Sequence, residues 1–226
     1  MKNLENDIKT LAYVMRRTNY GEADRILNLI TPVGKISAMA KGVRKSKSKL
    51  AGSVEMFTLS EVNVHAGRGD MGVLTGAKMV RHYGNIVKDL RRMELGVMVL
   101  KKASAYTEGA ETADYFRIVD ESLMGLNDGM GLDMVEAWFL INLMKTAGEE
   151  VNLYRDAGGE KLNVTQRYDW NVMEKALMPR ESGEFGADEI KMMRLMMGAK
   201  LAVTSRVKGA DVLMPKILGL LHTIAQ

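Results

Sequence analysis

Residues 55–64 read Glu55-Met56-Phe57-Thr58-Leu59-Ser60-Glu61-Val62-Asn63-Val64. Apolar side chains fall at 57, 59, 62 and 64, an alternation of period two with one slip near Ser60. A strand that buries one face has this period, and the extra residue of a β-bulge produces such a slip. Toward the N-terminus, Lys35-Ile36-Ser37-Ala38-Met39-Ala40 alternates in the same way, and Pro32-Val33-Gly34-Lys35 before it is a turn signal. Arg25-Ile26-Leu27-Asn28-Leu29-Ile30-Thr31 and Leu11-Ala12-Tyr13-Val14-Met15 are strand-like runs separated at Tyr20-Gly21. Toward the C-terminus, Gly67-Arg68-Gly69-Asp70 is a turn, and residues 73–80 make a fifth strand. Five short strands in about 80 residues suit a small closed barrel better than a two-layer sandwich.

Beyond Arg92 the period becomes helical. Met93, Val97, Leu100 and Ala103 share one face, as do Tyr115, Val119, Leu123 and Leu126, and then Leu132, Val135, Phe139 and Leu143. Ile190, Met193, Met197 and Leu201 form a fourth stripe, and Leu213, Ile217, Leu220 and Ile224 a fifth. Spacings of three and four mark helices packed on a core. Most of the 19 methionines lie on these stripes and read as core filler. The helical signal lapses between Val151 and Trp170. There Val151-Asn152-Leu153-Tyr154 and Lys161-Leu162-Asn163-Val164 flank Gly158-Gly159, which predicts an inserted β-hairpin. The expected fold class is α+β: a five-stranded barrel over 1–82, then a helical domain over 83–226 with a hairpin near 151–170.

The 226 residues carry 32 Lys and Arg against 28 Asp and Glu, and no cysteine. Without cysteine there is no disulfide framework, no thiolate-bound zinc or iron–sulfur site and no cysteine nucleophile. No apolar run approaches the roughly 18 residues of a membrane span. The polar N-terminus does not resemble a secretory signal. A cytoplasmic location is expected. The charge is unevenly placed. Residues 25–54 hold seven cations (Arg25, Lys35, Lys41, Arg44, Lys45, Lys47 and Lys49) and no acid, while the remainder carries 25 cations against 28 acids. A loop shaped only for solubility mixes signs, whereas a one-sign run points to a polyanion such as nucleic acid.

Other motifs carry less. Gly67, Gly69 and Gly72 spell G-x-G-x-x-G, but a dinucleotide loop needs a helix after it, and Val73-Leu74-Thr75 looks like strand. Gly34-Lys35 has neither the upstream glycine nor the following Ser or Thr of a P-loop. His65, His82 and His222 stand in no metal-ligand spacing. No nucleophile elbow is present, and the acid pairs Glu149-Glu150 and Asp188-Glu189 sit at helix ends.

Tyr20-Gly21-Glu22-Ala23-Asp24-Arg25-Ile26, Thr31-Pro32-Val33-Gly34-Lys35-Ile36-Ser37-Ala38, Ala40-Lys41-Gly42-Val43-Arg44-Lys45-Ser46-Lys47-Ser48-Lys49-Leu50-Ala51-Gly52 and Phe57 keep order and spacing over about 40 residues. They resemble the N-terminal barrel of the RecO family of bacterial DNA repair proteins. The resemblance implies an OB-fold barrel followed by a helical domain. It implies binding of single- and double-stranded DNA, annealing of complementary strands, and work with RecR and single-stranded DNA-binding protein to load RecA, with no enzymatic activity and no cofactor. Many such proteins carry a four-cysteine zinc hairpin in the helical part. This chain has no cysteine, so its hairpin must be held by packing, with Tyr154, Tyr168 and Trp170 as fillers.

On this reading Arg25, Lys35, Lys41, Arg44, Lys45, Lys47 and Lys49 meet phosphates. Tyr20, beside Gly21, is the base-stacking candidate, because Tyr13 and Phe57 read as core. Glu22 and Asp24 order Arg25 or cap a turn. Arg91, Arg92, Lys101 and Lys102 are candidates to receive an acidic protein tail, against the plainer reading of a solvated helix face. An RNA-binding OB module and a nucleotide-dependent enzyme built on residues 67–72 are the competing readings.

Overall fold

Backbone hydrogen bonds organise the first part of the chain into β1 (Ile8–Tyr20), β2 (Asp24–Thr31), β3 (Gly34–Ala40), β4 (Thr58–His65) and β5 (Met71–His82). They close a barrel in the order β1-β2-β3-β5-β4, with β4 returning to β1. The computed structural model describes residues 7–65, 70–107 and 113–225. All pairings are antiparallel except β3 with β5, where Ser37 to Met39 lie beside Met71 to Val73 in parallel. The slip in the 55–64 pattern is real: the β4–β5 register shifts between Leu59 and Ser60, and again between Asn63 and Val64. Phe57, Leu59, Val62 and Val64, the alternating apolar set, are all buried. A third shift, a bulge in β1 at Met15, separates the Val14–Leu29 pair from the Arg16–Asn28 pair.

Closure brings backbones together at Gly72. A methyl group there would lie 2.8 Å from the His65 carbonyl oxygen and 2.5 Å from Val64 Cγ1. Gly72, the second residue of β5, thus allows close approach, which is the packing role of a glycine in a sheet. Gly67 and Gly69 of the same motif, and Arg68, lie outside the described residues.

The chain divides into two compact units, Met1–Asn127 and Asp128–Gln226. The expected boundary after residue 82 marks the end of the barrel strands, not the edge of the unit. α1 (Leu90–Tyr106) and α2 (Ala113–Asn127) belong with the barrel. Three contacts explain this. Phe57 is buried with its ring against Gly96 of α1, where a methyl group would sit 2.7 Å from Cε1. The Tyr13 ring packs on Phe116 of α2 at 5.5 Å between centroids. The Tyr13 hydroxyl, 2.7 Å from that of Tyr83, donates to Asp120 Oδ1 at 2.5 Å. Burial, with Tyr83 beside it, pushes the Tyr13 phenol far above its ordinary pKa, so it remains a proton donor.

In the second unit α3 (Leu132–Ala147) is buried on nearly every face, from Met134 through Met144 apart from Glu136. A helix apolar all round is central to its domain. It packs with α4 (Ala187–Gly198) and α6 (Ala210–Ile224), joined by a one-turn α5 (Leu201–Thr204). Asn142 of α3 is buried but satisfied, donating to the carbonyls of Trp138 and Met196.

The inserted hairpin lies later than 151–170. Its ladder is β6 (Tyr168–Asn171) with β7 (Ala176–Pro179). Around Gly158-Gly159 there is only a single bridge, Arg155 with Lys161, because Asp156 Oδ1 takes the amides of Gly158 and Glu160 and tightens the loop. Of the three proposed fillers Tyr168 is buried and Trp170 half-buried, while Tyr154 is exposed and lies under the Arg194 guanidinium at 4.8 Å.

Gly96→Ala is expected to cost about 1–3 kcal/mol by overpacking against Phe57. In denaturant titration this appears as a lower midpoint with an unchanged slope.

Candidate nucleic-acid interface

Residues 41–57 connect β3 to β4 and carry the dense part of the basic run. The sequence pins this long connection at both ends. At its start, the Asp24 carboxylate accepts from the Gly42 amide at 2.6 Å. The Arg44 amide donates to the Ala23 carbonyl at 2.9 Å, and its guanidinium to the Gly21 carbonyl at 3.1 Å. Gly42 has φ +62°, the left-handed conformation that glycine adopts without strain. Asp24 therefore ties the basic loop to the β1–β2 turn, a capping role. At its end, a 3₁₀ turn (Ala51–Val54) inserts Val54 into the barrel core, and Ser60 Oγ donates to the Ser53 carbonyl.

Between these anchors Lys41, Arg44, Lys45, Lys47 and Lys49 are all exposed. None forms an ion pair with a carboxylate among the described residues. Five cations held near one another without acids repel, and anions from solution relieve that repulsion.

Two members of the expected set are placed differently. Arg25 pairs with Asn19 and Ala40 in the sheet and alternates with Leu27 and Leu29, which are core residues. Its side chain therefore belongs to the inner face, where Nη1 donates to Glu55 Oε1 at 3.0 Å. Lys35 sits opposite the buried Ile30 and is half-buried, with Nζ 3.5 Å from the Ser104 carbonyl of α1. α1 covers that part of the barrel. Neither residue joins the exposed group.

Tyr20 is 56% exposed at the end of β1 and shares a face with Arg16 and Thr18, also exposed. Tyr13 and Phe57 are buried, as their patterns indicate. Across this outer face Arg16 opposes Asn28, and Asn28 opposes Ser37, whose hydroxyl donates to Asn28 Oδ1 at 3.2 Å. Arg16 did not emerge from the charge run because it precedes it. Its signal is the polar stretch Arg16-Arg17-Thr18-Asn19-Tyr20, too polar for a fully packed strand.

The four helical cations do not converge. Arg91 and Lys101 are exposed on α1, about 15 Å apart along its axis at 1.5 Å per residue. Lys102 is half-buried. Arg92 donates to the Leu126 carbonyl at the end of α2, at 3.0 Å. The histidines are engaged separately: His65 with Asp7, His82 with Thr58, and His222 with Glu136. No group of potential metal ligands occurs among the described residues. Among the described residues, no helix is long and apolar enough to cross a membrane.

A closed five-stranded barrel of this order, with a parallel β3–β5 closure, defines an OB-fold protein. Comparison with known sequences narrows the class. Residues 1–83 match the family model described as Recombination protein O N terminal. The chain is 34% identical over 166 residues to a "DNA repair protein RecO" of Dehalococcoides mccartyi strain CBDB1, covering 72% of this chain and 65% of that one. It is 29% identical over 163 residues to a protein of the same description from Roseiflexus sp. strain RS-1, covering 71% and 57%. A third, from Alkaliphilus metalliredigens, is 29% identical over 149 residues, covering 65% and 60%. Residues 1–83 thus match the N-terminal part of the RecO family, and the chain spans less than two thirds of the length of these relatives.

Asp24→Ala is expected to cost about 1 kcal/mol and to speed exchange of the Gly42 amide about fivefold in native-state hydrogen exchange.

Proposed function

We propose that the barrel binds DNA through its backbone phosphates and that the chain acts in recombinational DNA repair. The observation that carries this reading is the loop of five exposed cations, free of paired acids and anchored beside the exposed Tyr20. The match of residues 1–83 to the RecO N-terminal model, and of the chain to relatives described as DNA repair proteins, supports it. The contacts are to phosphates, so sequence preference is weak, and Tyr20 with Arg16 offers one stacking position and one cation on the outer face.

The same chemistry extends to annealing. Two strands repel through their phosphates, and a cationic surface that holds both lowers that repulsion. In this role the protein is non-catalytic and cytoplasmic, and it works with RecR and single-stranded DNA-binding protein to load RecA. Arg91 and Lys101 are the exposed helical cations available to an acidic partner.

If five phosphates are neutralised, log K for single-stranded DNA falls with log salt at a slope of roughly −3.5, about a 10²-fold loss between 50 and 200 mM. Replacing Lys45, Lys47 and Lys49 together with Ala should flatten the slope by about two. A fluorescence anisotropy titration measures this, and an unchanged slope removes the loop from the interface. Competition with an RNA of the same length, in the same assay, separates a DNA binder from a general single-strand binder.

A further inference from the structure

Arg17 and Arg25 come from neighbouring strands. Asn19 and Arg25 are directly opposed, and Arg17, two residues before Asn19, lies diagonally across on the same face. One carboxylate spans both. Glu55 Oε2 accepts from Arg17 Nη1, and Glu55 Oε1 accepts from Arg25 Nη1 at 3.0 Å. Arg25 Nε is turned to Asn19 Oδ1 at 3.2 Å, which orients its guanidinium. The cluster keeps a net charge of +1. It is also partly accessible to solvent, with side-chain exposures of 35% for Arg17, 20% for Arg25 and 41% for Glu55.

Two oriented guanidinium groups, each giving one donor to a different oxygen of one anion, form a fork that fits a phosphate as well as a carboxylate. The cluster also adjoins the basic loop at both ends. Arg25 is paired with Ala40, next to Lys41, and Glu55 closes the 41–57 connection. A backbone tracking Lys41 to Lys49 therefore passes within reach of a two-arginine site already holding an anion. Burial, and the neighbouring Arg25 charge, lower the Arg17 pKa, which fits two guanidinium groups crowded around one acid.

We propose that Arg17 and Arg25 form a phosphodiester-binding site that the Glu55 carboxylate occupies in the free protein, and that a DNA phosphate takes its place on binding. Glu55 then lowers affinity for weak anions and releases when a polyanion engages the loop beside it. The proposal rests on DNA binding by the barrel, and the test separates the two ideas.

Affinity for single-stranded DNA is measured by anisotropy at about 50 mM salt for the parent, Glu55→Gln, Arg17→Gln and the Lys45, Lys47, Lys49 triple Ala variant, with thermal melting of each. Glu55→Gln removes the competing charge and is expected to bind about tenfold tighter, while Arg17→Gln binds about three- to tenfold weaker. In the double variant Glu55→Gln, Arg17→Gln most of the gain disappears. Binding by Glu55→Gln no tighter than the parent, in a variant that melts like the parent, overturns the site. If Glu55→Gln is destabilised, Arg17→Gln decides: parent-like affinity overturns the site. When the parent binds and the triple variant weakens, such a failure concerns this site alone. If the parent does not bind DNA, both readings fall.

Discussion

Barrel closure constrains everything else in the first unit. β5 lies between β3 and β4 in the barrel, so β3 cannot pass to β4, its successor in the chain, through a tight hairpin. The chain must instead run through residues 41–57 before it reaches β4. That forced crossing creates the long surface segment on which five cations stand, and Val54 anchors it in the core. A loop is normally the most variable part of a fold. Here it is tied by Asp24 and Arg44 at one end and by the 3₁₀ turn at the other, so its charges are held in place.

The same crossing sorts the basic residues into two electrostatic kinds. Those on the loop are solvated and unpaired by acids, and their charge is available at long range. Those on the strands obey the pleat. Arg25 alternates with Leu27 and Leu29 and is drawn to the inner face, where Glu55 neutralises part of its charge. Lys35 alternates with Ser37 on the outer face but falls under α1. A guanidinium or ammonium in such a place needs a partner, since desolvating a lone charge is costly. Equal charges close together in sequence thus end in different chemical states.

The helices next to the barrel follow from packing of small and aromatic groups. Gly96 admits the Phe57 ring, and the Tyr13–Tyr83–Asp120 cluster places a satisfied polar network under α2. A buried network with every member bonded specifies one arrangement, because any other leaves a polar group without a partner. This is why α1 and α2 join the barrel's unit, although their amphipathic stripes resemble those of the later helices.

The sequence by itself determined the strand count, the bulge near Ser60, the helical stripes, the fate of Tyr13 and Phe57, and the location of excess positive charge. Each of these depends on local periodicity or composition, and a period of two or 3.6 is set by the backbone. Only the tertiary structure decided the unit boundary at Asn127, the later hairpin ladder, the withdrawal of Arg25 and Lys35, and the place of Arg16 on the outer face. These depend on which segments meet across the fold. Asp24 with Gly42, Glu55 with Arg17 and Phe57 with Gly96 are separated by 18, 38 and 39 positions, and no spacing within one strand or helix relates them.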